Sequence, residues 1–334
     1  MTSSDAFGVR IAGAGSAVPD RRLTNADLEK LMDTSDEWIV QRTGIRERRV
    51  VDQEVEGTFT LSRDALRRAL DDAGMDARDL DQIIVATVTA EMTCPSTACR
   101  ISAELGATPA GAFDLVAACS GFVYGINVAD ALMRAGHCRT IAVIGCDAMS
   151  TVIDYSERSV SILFGDAAGA FVLAREENDP TVGCIYSSTQ ADGSMWESLY
   201  MPRRSQEVPL QDSDNPIKLG CLRMNGREIY RFAITKFREV IQEALDATGL
   251  GVDDISQFVC HQSNLRILEN AKQKLGLPDD KVHINIDRYG NSSAGSVGLC
   301  FDQLWQAGKI RRGDHVLFVA FGGGLTWAVS VWKI

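Results

Sequence analysis

The chain has 334 residues, is 45% hydrophobic and 24% charged, and carries a formal net charge of -11. This is the make-up of a globular protein with room for a large core and two halves. The acidic balance excludes nucleic acid or an anionic membrane surface as a general partner. No apolar run reaches the length of a membrane helix, and MTSSDAFGVR lacks the hydrophobic stretch of a signal peptide. Nine cysteines, odd in number and without a CxxC pair, read as free thiols of a reducing, cytoplasmic compartment.

In chain order, VRIAGAG (9–15) predicts a strand, and TNADLEKLM (24–32) and TSDEWIVQR (34–42) predict helices. The second spaces Thr34 and Glu37 as a capping box and has Gly44 just past its end. SRDALRRALDDAG (62–74) predicts a helix, and QIIVATVTA (82–90) a buried strand. At DLVAACSGFVYGI (114–126) an apolar run ends at a turn holding Cys119, and a helical stretch follows. TIAVIGCDA (140–148) predicts another strand. Apolar, β-branched strands alternating with helices imply an α/β fold with a mainly parallel, buried sheet. Between residues 176 and 222, the stretch MPRRSQEVPLQDSDNP has neither helical nor strand period and reads as a surface excursion.

The chain also repeats. ALDDAGMDARDLDQIIV (69–85) aligns without gaps to ALDATGLGVDDISQFVC (244–260), and residues 119–136 align to 291–308 at nearly the same separation. Two matches in the same order suggest a duplicated α/β half. The second makes Asn291 the counterpart of Cys119 and brings both toward the join between halves, a usual place for a site.

A thiol before a helix meets free N–H groups and the positive end of the macrodipole, which favour the thiolate. A buried filler is the alternative for such a cysteine. Of four histidines, His137 follows a helix end, His283 sits in an alternating, strand-like KVHINID, and His315 opens the strand HVLFVAF. His261 differs, for it ends the apolar run QFVC where an α/β sheet presents ligand-binding residues. Asn291 in DRYGNSSAGS (287–296) could be a helix cap. The glycines of FGGGLTW (321–327) could form a tight hairpin or let backbone N–H groups approach a reacting oxygen. GAGSAVP (13–19) lacks the third glycine of a dinucleotide fingerprint, and no phosphate-binding GxxxxGK[ST] occurs.

Cys119 in AACSGF, His261 in HQSNLRI, Asn291 in YGNSSAGS and the FGGGLTW hairpin together resemble the β-ketoacyl-acyl-carrier-protein synthase III family, as do residues 24–48 and FGDAAGAFVLA (164–174). The resemblance implies the thiolase-like fold: two duplicated α/β halves in a layered sandwich. Residues 1–175 would carry the nucleophile, 176–222 the excursion, and 223–334 the histidine and asparagine. It implies a decarboxylative Claisen condensation of an acyl-CoA primer with malonyl-acyl carrier protein, starting fatty-acid synthesis. Cys119 is then the nucleophile, and His261 and Asn291 donate to the malonyl thioester carbonyl. The backbone N–H groups of Cys119 and Gly323 form the oxyanion hole.

By the same resemblance, Trp38 and Arg158 hold the coenzyme A adenine, Arg42, Asn264 and Phe321 also bind substrate, and Arg266, with Arg231 and Lys274, meets the carrier protein. Phe164 and Cys94 belong to the acyl pocket, Cys94 standing in EMTCPST where some members have an aromatic that reaches a partner subunit. No metal or cofactor is implied, coenzyme A thioester being a substrate, and a homodimer is expected. The sequence departs from the family at Ser263, where alanine is common, and at Ala328, where glycine is common. The alternatives are a condensing or acyltransferase paralogue of a secondary-metabolite pathway, a catalytically silent scaffold, and a papain-type hydrolase. The CGSCW context of the last is absent.

Overall fold

A computed structural model describes residues 7–213 and 217–334. The first half contains strands β1 (Gly8–Ala17), β2 (Gln82–Ala86), β3 (Gly111–Leu115), β4 (Thr140–Ala148) and β5 (Asp166–Glu176). Its main helices are α1 (Asp36–Thr43), α2 (Thr58–Ala73), α3 (Thr97–Leu105) and α4 (Gly121–Arg134). The second half contains β6 (Gly183–Ala191), β7 (Ile255–Cys260), β8 (His315–Gly322) and β9 (Thr326–Lys333), with α5 (Gly226–Thr248), α6 (Leu265–Leu275) and α7 (Gly295–Gln306).

The duplication is visible in the sheets. The first runs β1-β5-β4-β2-β3 and the second β6-β9-β8-β7. Strand order and sense agree between β1-β5-β4-β2 and β6-β9-β8-β7: antiparallel, antiparallel, then parallel. The parallel pairing expected of βαβ units therefore occupies one side of each sheet, with β2–β3 adding a further parallel pair. Antiparallel flanks complete both sheets. β6 is the counterpart of β1, so the segment expected to be a surface excursion supplies a strand of the second sheet.

The two sheets sandwich α4 and α7. Phe122, Ile126 and Met133 from α4 and Val297, Phe301 and Leu304 from α7 pack against inward residues of both sheets. Phe171 on β5 sits centrally, its ring 4.8 Å from Phe122, 4.5 Å from Phe301 and 5.8 Å from Phe318. Gly169 and Gly298 let α7 lie directly on β5, since a Cβ on Gly169 would stand 2.4 Å from the Gly298 carbonyl carbon. Helix α2 covers the outer face of the first sheet through Leu61, Ala65, Leu66, Ala69 and Leu70, one stripe at helical spacing. Helices α5 and α6 cover the second.

Three local expectations are corrected. The helix expected over 24–32 closes after Asn25–Leu28, because only Leu28 of its later apolar residues is buried while Leu31 is 60% exposed. The cap of α1 is Ser35, whose hydroxyl accepts the Trp38 N–H, whereas Thr34 Oγ1 is buried without a partner. Gly44 does end that helix in the left-handed region, at φ 80°. His283 lies in no strand: only Val282 bridges to Phe258, and the His283 ring bonds Gln303 at 2.8 Å.

Candidate active site

Cys119 lies in the turn between β3 and α4, two residues before the helix. Asn291 lies in the corresponding turn before α7, and its backbone N–H bonds the Leu163 carbonyl at 2.8 Å. His261 follows β7. All three line one cleft of about 250 Å³, with Trp38, Arg42, Phe164, Ser263, Asn264 and Phe321. The cleft's other walls are largely apolar, from Ile162, Leu163, Leu199, Met224, Ile229, Phe232 and Leu325. It is near the lower end of volumes that hold a small-molecule ligand, roughly 300 Å³ and up.

The hairpin between β8 and β9 presses on the turn that holds Cys119. A Cβ at Gly322 would stand 2.6 Å from the Cys119 nitrogen, so only glycine fits there. Thr326 Oγ1 donates to the Ala117 carbonyl at 3.0 Å and lies 2.9 Å from the Ser120 hydroxyl, fastening the hairpin to the turn. Ala118 at φ 47° and Ser293 at φ 49° are the two non-glycine residues with positive φ among the described residues, and both adjoin the site. Gly323, expected in the oxyanion hole, is the next residue of the hairpin and packs against Leu199.

Burial sets the protonation states. The Cys119 thiol is pushed up to about 12, chiefly by loss of solvent, with the Ser293 hydrogen bond acting the other way and the Asp147 charge adding to the rise. Burial thus opposes the thiolate that the free N–H groups before the helix favour. His261 is neutral, its pKa lowered by burial to about 3. Its Nδ1 lies 2.7 Å from Ser296 Oγ. The Ser296 hydroxyl donates to the Ser293 carbonyl at 2.9 Å, so its oxygen accepts the Nδ1–H, and Nε2 keeps its lone pair. The Asn291 Oδ1 accepts the Ser293 N–H at 2.9 Å, which leaves the amide NH₂ as the end that can donate into the cleft.

At the mouth, the Arg42 and Arg158 guanidinium carbons each lie 4.7 Å from the Trp38 ring centre. Asn264 caps α6 by accepting the Arg266 N–H at 2.9 Å and donates to the Arg42 carbonyl at 3.1 Å, tying the two elements together. Arg266 and Arg231 are exposed, and Arg266 lies 5.6 Å from the ring of Tyr230, which lines the cleft. Lys274 is apart from them, in a groove with Arg238, Glu239, Glu243 and Asp246. Cys94, expected in the acyl pocket, is exposed on a loop and does not line this cleft.

Sequence reasoning missed Ser293, Ser296, Gln262 and Asp147. Gln262 is fully buried, donating to the Cys260 and His283 carbonyls and accepting from the Asn285 N–H, which fixes the loop beside His261. It also missed Leu199 and Met224, brought to the cleft by a two-residue strand pair that no periodicity reveals.

Comparison with known proteins bears on this cleft. Residues 113–193 match the family model "3-Oxoacyl-[acyl-carrier-protein (ACP)] synthase III", and residues 245–334 match its C-terminal counterpart, together more than half of the chain. A relative from Caldanaerobacter subterraneus subsp. tengcongensis named beta-ketoacyl-[acyl-carrier-protein] synthase III is 45% identical over 323 residues, 97% of each chain.

The chain belongs to the 3-oxoacyl-[acyl-carrier-protein] synthase III family.

It is therefore a condensing enzyme with the thiolase-like fold, an acyltransferase of fatty-acid biosynthesis. The crystal structure of the synthase III from Aquifex aeolicus VF5 superposes with a TM-score of 0.90 at 39% identity, covering 98% of this chain and 100% of that one. The Thermus thermophilus enzyme gives 0.90 at 41%, covering 97% and 98%. The priming β-ketosynthase of the R1128 polyketide pathway gives 0.90 at 34%, covering 99% and 98%.

Proposed function

We propose that this synthase joins an acyl-CoA primer to malonyl-acyl carrier protein through an acyl-Cys119 intermediate. The observation that carries this reading is the shared cleft: a buried thiol, a neutral imidazole with a free Nε2, and an oriented carboxamide. His261 Nε2 takes the Cys119 proton, the sulfur attacks the thioester carbonyl, and the proton leaves on the coenzyme A sulfur. The N–H groups of Cys119 and Gly323 hold the oxyanion.

In the second half-reaction the malonyl carboxylate leaves as CO2 and its bonding electrons enter an enolate. The Asn291 NH₂ donates to the thioester oxygen. His261 donates as well once the Ser296 hydroxyl turns to Nδ1 and the ring proton moves to Nε2. The Ser293 carbonyl tolerates that turn because it also accepts the Ser296 backbone N–H at 3.2 Å. The enolate carbon attacks acyl-Cys119, and the Cys119 sulfur leaves.

Trp38, Arg42 and Arg158 would hold the nucleotide end of coenzyme A at the mouth, with Asn264 and Phe321 along the arm. Phe164, Leu199 and Met224 would bound the acyl group, with Cys94 acting from the partner subunit. Arg266 and Arg231 would meet the acidic carrier protein, and Lys274, in its separate groove, is its weakest member. The reaction as written uses no cofactor. Nine free cysteines support a reducing, cytoplasmic setting. An edge strand supports a homodimer: β3 pairs only with β2 among the described residues, with Phe113 37% and Val116 78% exposed.

The test is mass spectrometry of the protein after exposure to a panel of acyl-CoA thioesters, then to malonyl-acyl carrier protein. One acyl mass should appear on the Cys119 peptide and leave as β-ketoacyl-carrier protein. Adducts on Cys99 or Cys260 instead would overturn the assignment. A second reading, priming of a secondary-metabolite pathway, is favoured by the likeness to the R1128 enzyme. Faster turnover with a dedicated polyketide carrier protein than with the fatty-acid one would select it.

A further inference from the structure

The Ser293 hydroxyl stands between two groups that compete for its proton. Its oxygen lies 3.2 Å from Cys119 Sγ, and it also reaches the Asp147 carboxylate. Asp147 is fully buried, which raises its pKa, and Ser293 is one of several donors acting the other way. It accepts the Val88 N–H at 2.8 Å, the Thr87 and Thr89 hydroxyls at 3.0 and 3.2 Å, and the Ala294 N–H at 3.2 Å. These four donors favour the carboxylate against the burial that raises its pKa.

That charge opposes a second negative charge on Cys119. Burial opposes it too, and His261 is neutral until it takes the Cys119 proton. A donor aimed at the sulfur is what the site needs, since hydrogen bonds to an ionised acceptor are about twice as strong as neutral ones. Ser293 is the side chain hydrogen-bonded to Cys119 Sγ among the described residues.

We propose that Ser293 is a catalytic residue of acyl transfer: its hydroxyl donates to Cys119 Sγ, and that hydrogen bond strengthens when the thiolate forms. The S–H bond breaks, its proton passes to His261 Nε2, and the electron pair stays on sulfur. The Ser293 O–H bond is kept throughout. The proposal rests on Cys119 being the nucleophile and extends that reading to the group that stabilises its anion.

The backbone of Ser293 has separate duties. Its N–H holds the Asn291 amide, and its carbonyl accepts the Ser296 hydroxyl. Ser293→Ala and Ser293→Gly remove the hydroxyl and leave both in place. Glycine also takes the positive φ without strain.

The test is the rate of Cys119 carbamidomethylation by iodoacetamide between about pH 7 and pH 9, followed on the peptide containing Cys119 so that exposed Cys94 and Cys99 do not contribute. Both variants should react about tenfold more slowly at each pH, as a thiol raised by about one pH unit would. The KM for a malonyl thioester should stay at the wild-type value, because Asn291 is still held. Wild-type alkylation rates in both variants would overturn the proposal. So would a loss confined to Ser293→Ala, which would trace to backbone strain. Alkylation needs no acyl substrate, so this result is readable even if the enzyme's substrates differ from those proposed.

Discussion

Cys119 and Asn291 occupy equivalent places in the two halves: each lies in the turn before a middle-layer helix, α4 or α7, and both line one cleft. The duplicated sheets bring the two turns together, and Ser293, two residues past Asn291, hydrogen-bonds the Cys119 sulfur across the join. Each half thus brings one of these residues to a common cleft.

The neutrality of His261 makes stability depend on pH. Its pKa falls from 6.5 in the unfolded chain to about 3 in the fold, so the unfolded state binds the proton more readily. The stability this contributes is fully present above about pH 6.5, shrinks as pH falls, and is lost by about pH 3, at roughly 1.4 kcal/mol per pH unit between. Asp166 acts in the opposite sense, because burial raises its carboxyl to about 6 and its contribution grows as pH falls from there. Comparing wild type with His261→Asn cancels Asp166. The thermal midpoint of wild type should drop more steeply between pH 7 and pH 4 than that of the variant. Parallel slopes would mean that His261 is solvated or charged in the folded protein.

The β3 edge predicts the dimer. Phe113→Arg with Val116→Asp places charge on the exposed apolar edge while leaving the Asp114 carboxylate to accept the Thr97 and Ala98 N–H groups. Wild type should sediment as a dimer at micromolar concentration and the double variant as a monomer. A wild-type monomer with full activity would contradict this account of the edge.

Primer choice should follow the apolar wall. Leu199→Ala and Met224→Ala enlarge the cleft and should shift kcat/KM toward longer or branched acyl-CoA primers. Cys94 is small where an aromatic stands in some relatives, so Cys94→Phe should shift the preference back toward acetyl-CoA. A strict acetyl preference unchanged by all three substitutions would place the acyl group elsewhere.

Much of this was legible in the sequence, for physical reasons. TIAVIGCDA reads as a buried strand because both its faces are covered, and residues 140–148 form β4 with every residue buried. The repeats reveal the counterpart turns because duplicated cores keep their apolar spacing. β6 was missed since GCIYSSTQA is an edge strand with a polar, half-exposed face. Ser293 and Ser296 were hidden because small polar residues fill any turn entering a helix. The elevated thiol of Cys119 could not be read at all: it depends on burial by segments far apart in the chain.

The central claim is that the two halves divide the chemistry, and the decisive measurement is acylation and CO2 release assayed separately in two variants. Cys119→Ala should form no acyl-enzyme yet release CO2 from a malonyl thioester. Asn291→Ala should still take one acyl group on Cys119 while CO2 release falls on the order of 10²-fold or more, the cost of losing one oriented donor. If Asn291→Ala instead keeps CO2 release and loses acylation, Asn291 orients the nucleophile, and the division of labour argued here is wrong.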